Sequence, residues 1–185
     1  MSLQRNRESN RNDNATANKL TNVLFIIYLL ALLWILVFKL GVQFSYMADR
    51  SVNLIPFGEP LMSNGKADFS EMILNAVIFV PLGIYTGVLF ERWSFWKRVR
   101  FVFSVSLVIE ALQFLLKVGA FDITDIITNT VGGVIGLVLY KAIAKIFRNS
   151  RKAQNFVNVS AAIGTAGMVL LLVLLKLDLL PIRYR

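Results

Sequence analysis

Glu110 and Gln113 break an otherwise apolar run, and the segment from Phe121 to Asn129 carries Asp122, Asp125 and an amide into the next one. A carboxylate at membrane depth costs about 2.5–3.5 kcal/mol on insertion scales, so such groups are functional-site hypotheses by default. Carboxylates and amides can hydrogen-bond a sugar or a peptide, hold a hard cation through oxygen, or take a proton as a general base. Their spacing favours cooperation. Glu110 and Gln113 are i, i+3, and Asp122, Asp125 and Asn129 are i, i+3, i+7, so each set shares one face of a helix that already includes Asp122. Asn75 stands in an earlier apolar run. Each group also has a plainer reading: the aspartates can cap a helix N-terminus, Glu110 can pair with Lys117 or Arg50, and Asn75 and Gln113 can bridge helices.

Such groups sit in an unusually apolar chain. Of its 185 residues 56% are hydrophobic and the mean hydropathy is +0.63, against roughly 45–50% apolar residues in ordinary globular domains. The fold expected is an all-α membrane protein, a bundle of about five transmembrane helices, since each span takes about 20 residues. There is no Cys and no His. That excludes structural disulfides, thiolate nucleophiles, Cys/His zinc sites and Ser-His-Asp triads for this chain alone. The formal charge of +9 is scattered over several loops, as flanks of spans require, and does not form the single stripe that nucleic acid needs. The lipid bilayer, and not nucleic acid, is the expected partner.

Residues 1–18 are polar and read as a disordered cytoplasmic tail, and residues 19–185 as a single helical transmembrane domain. The expected spans are about 21–42, 70–90, 99–117, 125–141 and 157–176. Pro81 interrupts the second and frees a backbone carbonyl. The fourth is short, with Asp125 and Lys141 near the two interfaces. Of the twenty Lys and Arg, thirteen fall in the segments on one side of this topology and seven on the other. The positive-inside rule then puts the N-terminus in the cytoplasm and the C-terminus outside. Trp93 and Trp96 suit an aromatic anchor at the inner interface.

This topology turns separate residues into a cluster. Asn75 lies near the outer end of span 2, Glu110 and Gln113 in the outer half of span 3, and Asp122, Asp125 and Asn129 at the outer mouth of span 4. The loop holding Asn53 and Phe57 is on the same side. Gly132 and Gly136 form a G-x-x-x-G that would let another helix approach closely.

The ordered residues Asn53-Leu-Ile-Pro-Phe57, Asn75 with Phe79, Pro81 and Gly83, Glu110 with Gln113, and Phe121-Asp122 with Asp125, Asn129 and Gly132 resemble the VanZ-like family over about residues 53–136. Many relatives carry an Arg just before the Phe-Asp motif, where this chain has Gly119 and Ala120. The resemblance implies a multi-pass protein of the bacterial cell membrane linked to tolerance of glycopeptide antibiotics such as teicoplanin. It supplies a phenotype and no reaction, and it adds the Asn53 to Phe57 loop as a lid.

Three function classes compete. In the first, Asn53, Asn75, Glu110, Gln113, Asp122, Asp125 and Asn129 form an outward-facing polar site that binds a lipid-linked cell-wall precursor or envelope polymer. In the second, an enzyme modifies such a substrate with Glu110 or Asp125 as general base, with Mg²⁺ or Ca²⁺ as the cation that oxygen ligands would suit. In the third, Glu110 titrates in a proton-coupled transporter. Neither a resident cofactor nor the oligomeric state follows from the sequence.

Overall fold

The computed structural model describes residues 2–38, 52–57, 62–63, 66–67 and 69–176. Five helices carry the fold: α1 (Ser2–Phe38), α2 (Ser70–Leu89), α3 (Phe95–Leu116), α4 (Ile123–Phe147) and α5 (Ser150–Lys176). Four short strands accompany them: β1 (Val52–Asn53), β2 (Met62–Ser63), β3 (Lys66–Ala67) and β4 (Phe121–Asp122). Among the described residues four helices are long and apolar enough to cross a membrane, namely α2, α3, α4 and the Thr16–Leu36 part of α1.

Local chemistry sets the boundaries. The Ser94 side chain accepts from Lys97 N at the start of α3, and Asn149 Oδ1 accepts from Arg151 N at 2.8 Å at the start of α5. Both supply an acceptor to a helix N–H that has no intrahelical partner. Arg98 reaches back to the end of α2, donating from Nε to Phe90 O at 3.0 Å and from Nη2 to Glu91 O at 2.8 Å. Helix α3 stops where Lys117 turns left-handed with φ 58.

Two helices extend beyond the expected spans. Helix α1 runs back to Ser2 through the polar stretch expected to be disordered; no Gly or Pro interrupts that stretch, so helix can propagate from the apolar segment once that has nucleated it. Helix α4 is longer than a 125–141 span, covering about 37 Å at 1.5 Å per residue. Lys141 sits within the helix, its Nζ 4.7 Å from the Phe95 ring centroid near the start of α3. The expected end of the first span at residue 42 and the Arg50 alternative lie outside the described residues.

The closest packing joins α2 and α4, which run parallel because α3 returns between them. A Cβ at Gly132 would overlap the Ala76 carbonyl, one at Gly136 the Val80 carbonyl, and one at Gly83 the Gly133 carbonyl. The G-x-x-x-G thus receives α2 backbone on backbone, the close approach that small residues permit. One apolar cluster, with Leu32, Phe79, Leu82, Val102 and Ile109, fills the space between α1, α2 and α3; a second, with Val88, Tyr140, Ala153 and Val157, joins α2, α4 and α5. Between α1 and α5 the contact is polar: Thr21 Oγ1 donates to Asn158 Oδ1 at 2.9 Å, and Gln154 Nε2 donates to Thr21 Oγ1 at 2.8 Å and to Asn18 Oδ1 at 3.0 Å. Large apolar side chains such as Ile73, Val77, Val108 and Val138 are exposed around the bundle, as a surface facing lipid tails allows.

A polar ladder between helices 3 and 4

Helices α3 and α4 are antiparallel, so stepping three or four residues back along α3 steps as many forward along α4. Gln113 and Asp122 stand at one level, Glu110 and Asp125 at the next, and Ser106 and Asn129 at the third. Below these, Gly133 faces Val102, whose Cγ1 and Cγ2 occupy the place a Cβ on Gly133 would need. The seam therefore holds three polar rungs that end on an apolar floor.

The outer rungs are cross-linked. Asp122 caps α4 through Oδ1, which accepts from Thr124 N at 2.6 Å, while its Oδ2 accepts from Asn53 Nδ2 at 3.1 Å. Its own N–H donates to Glu110 Oε2 at 3.2 Å. Asn75 Nδ2, from α2, donates to Asp125 Oδ1 at 2.7 Å. Glu110 is only 2% exposed, so a charged or neutral carboxyl there depends on protein partners to replace water. Capping is thus part of the answer for Asp122, and interhelical bonding accounts for Asn75.

The loop expected as a lid is anchored on this end of the bundle. Strand β1 pairs parallel with β4, Val52 opposite Phe121 and Asn53 opposite Asp122. Phe57 N donates to Thr124 Oγ1 at 3.1 Å, and Asn53 Oδ1 accepts from Ile55 N at 3.2 Å in an Asx-type turn. Phe57 itself is held left-handed at φ 57, a strained conformation for a non-glycine residue. Leu54, Ile55 and Phe57 are exposed on the loop.

Of the site residues expected from sequence, Asn53, Asp122 and Glu110 are joined by hydrogen bonds, Asn75 and Asp125 by another, and Asn129 lies on the deepest rung. Gln113 differs: its Nε2 donates to Leu36 O at 3.0 Å, tying α3 to the end of α1. Ser106 and Thr124 belong to the same network, although the sequence pattern does not single them out. A serine in an apolar run is unremarkable by type, yet Ser106 is one turn before Glu110, a spacing that marks the shared face. Among the described residues no three Asp or Glu side chains gather as a metal-binding group.

The deepest rung is incomplete. Asn129, 1% exposed, donates from Nδ2 to Ser106 Oγ at 3.0 Å, and its Oδ1 has no partner. Ser106→Ala is expected to cost about 1 kcal/mol, since it strips a buried amide of its bond. Adding Asn129→Leu to Ser106→Ala should recover most of that loss, because replacing both polar partners removes the desolvation penalty. Thermal unfolding in detergent micelles measures both; equal stability of the Ser106→Ala single variant and the wild type would show that the rung bears no structural load.

Comparison with known proteins turns on the same stretch of chain. The sequence profile of the VanZ/LLP1 family matches residues 25–148, from the middle of α1 through the end of α4. The chain belongs to the VanZ/LLP1 family. It is 39% identical to Protein VanZ of Enterococcus faecium over 160 residues, covering 84% of this chain and 91% of the relative. No solved structure matches it. The VanZ/LLP1 match contains the loop, all three rungs and the glycine contact with α2, and stops short of α5. With its four membrane-length helices, this VanZ/LLP1 member is a multi-pass bacterial membrane protein.

Proposed function

We propose that the ladder opens on the outer face of the membrane and binds the polar part of a lipid-linked cell-envelope component, lowering the access of glycopeptide antibiotics such as teicoplanin to their target. The observation that carries this reading is the blind end: hydrogen-bonding groups line the outer rungs, and Val102 against Gly133 closes the seam beneath them. A closed seam suits recognition. A transport path would need polar groups that continue through the bundle, and the α3–α4 seam does not continue them. The outward direction rests on the excess of Lys and Arg at the opposite end of the bundle. Membership of the VanZ/LLP1 family and the similarity to Protein VanZ support the link to glycopeptide tolerance.

Oriented amides and carboxylates on rigid helices favour hydroxyl and amide donors of a sugar or peptide, and the exposed Leu54, Ile55 and Phe57 can rest among the lipid chains that carry such a ligand. The test is genetic. In a susceptible Gram-positive host, Glu110→Gln and Asp125→Asn, each present at the wild-type level, are expected to reduce teicoplanin tolerance to that of cells without the protein. Full tolerance in both variants would remove these carboxylates from the site.

A further inference from the structure

The start of α3 breaks a local rule. Acids complement the positive N-terminal end of a helix and cations oppose it, yet the first turn of α3 holds no acid and Lys97, Arg98 and Arg100 follow at once. From Arg92 to Ile109 the chain has no Asp or Glu. Arg98 is accounted for, since its Nε and Nη2 hold the end of α2. Lys97 and Arg100 are not: both are exposed, and among the described residues neither side chain makes a hydrogen bond or an ion pair. Glu91, the nearest acid in sequence, turns to Tyr140, whose Oη donates to it at 3.1 Å.

Lys97 and Arg100 stand i, i+3 and share one face of α3. That face borders an open cleft of about 390 Å³, lined by Trp93, Lys97, Arg100, Phe101 and Ser104. Trp93 forms a fixed wall, stacked on Phe90 with ring centroids 4.2 Å apart and edge-on to Phe101 at 6.0 Å. Ser104 Oγ already donates to Arg100 O at 2.9 Å, which leaves the two cations to meet a ligand. Like charges one turn apart destabilise a helix. An anion between them relieves both their repulsion and their conflict with the helix dipole. Beyond Ser104 the same face presents Leu107 and Val108, both exposed, in a helix of membrane length. Val108 lies about 12 Å along the axis from Arg100. A basic cleft that gives way to exposed apolar side chains suits a phosphate joined to a hydrocarbon chain, and Trp93 fits the level where the two meet.

We infer that this cleft binds an anionic membrane lipid, its phosphodiester between Lys97 and Arg100 and one hydrocarbon chain along Leu107 and Val108. The site lies at the end of α3 away from the ladder and is independent of the ladder's ligand. Charge complementarity selects the headgroup, because a zwitterionic lipid would bring a third cation to the pair. The hydrocarbon chain supplies apolar contact that a free phosphate cannot.

The test is lipid retention by the full-length protein, purified in neutral detergent and weighed intact by native mass spectrometry. Wild type is expected to retain phosphatidylglycerol about thirtyfold better than phosphatidylcholine of equal chain length, the preference that two basic residues at an anionic headgroup produce. Lys97→Gln with Arg100→Gln should abolish the preference. Lys145→Gln with Lys152→Gln, which removes the same charge from the same end of the bundle, should leave it nearly unchanged. Ser104→Phe, at an exposed position, fills the cleft without removing charge and should lower retention of phosphatidylglycerol toward that of phosphatidylcholine. Equal retention of the two lipids by the wild type, or an unchanged preference in a folded Lys97→Gln, Arg100→Gln variant, overturns the proposal. Equal losses in the two double variants also overturn it, because net charge alone would then account for the preference. Displacement of the lipid by millimolar inorganic phosphate would do the same, since the anion alone would then suffice.

Discussion

Gly132→Ala is expected to destabilise the protein by about 3 kcal/mol, the upper end of the range for overpacking, although alanine is the better helix former. The added methyl would overlap the Ala76 carbonyl oxygen and carbon and the Ala76 Cα. Those are backbone atoms, and no rotamer change can move them aside. Helix α2 must therefore withdraw from α4, and with it Asn75 withdraws from Asp125. Gly164→Ala provides the contrast, because open space meets its Cβ and alanine gains up to about 1 kcal/mol in a helix interior. Unfolding in micelles followed by intrinsic fluorescence measures both. Equal effects of the two substitutions would disprove the tight α2–α4 contact.

The second large effect is expected at Glu110. Glu110→Ala removes from a 2% exposed position the oxygen that accepts the Asp122 N–H, leaving a partly buried donor unmatched for about 1 kcal/mol. Glu110→Gln keeps a carbonyl oxygen of the same reach and should cost less than about 1 kcal/mol. The two variants thus separate scaffold from ligand recognition. Loss of stability and tolerance in Glu110→Ala, with loss of tolerance alone in Glu110→Gln, is the pattern expected of a binding carboxylate that also braces α4. Wild-type unfolding of Glu110→Ala would mean that the Asp122 contact carries no load.

Much of this arrangement is legible in the sequence for a physical reason. At membrane depth polar residues are costly enough that their positions mark where helices must face one another, which is why Asn75, Glu110, Asp122, Asp125 and Asn129 identify one end of three helices. Helical periodicity gives the faces but not the register between them. That α3 and α4 match Ser106 to Asn129 depends on the length of the turn from Lys117 to Ala120, and the sequence does not report it directly. Gly132 and Gly136 announce a close neighbour without saying which helix; α2 answers because Gly83 presents an equally bare surface to Gly133. Gln113 shows the limit of such a reading, since a position on the shared face says nothing of where a long amide turns, and its Nε2 donates to the Leu36 carbonyl near the end of α1.

The bridge between β1 and β4 joins residues 69 positions apart in the chain through a pair of two-residue strands. Closing so long a segment costs entropy that only a few hydrogen bonds offset. Such a contact belongs to the least protected part of a structure, which opens first on heating or in denaturant. The chain should then pass through a state in which its helices are intact while the Asn53 side chain has left Asp122. A ligand reaching into the ladder meets that equilibrium first, so occupancy of the site should register as slowed amide exchange at Phe57, whose N–H is held by Thr124, before any change in the melting of the helices.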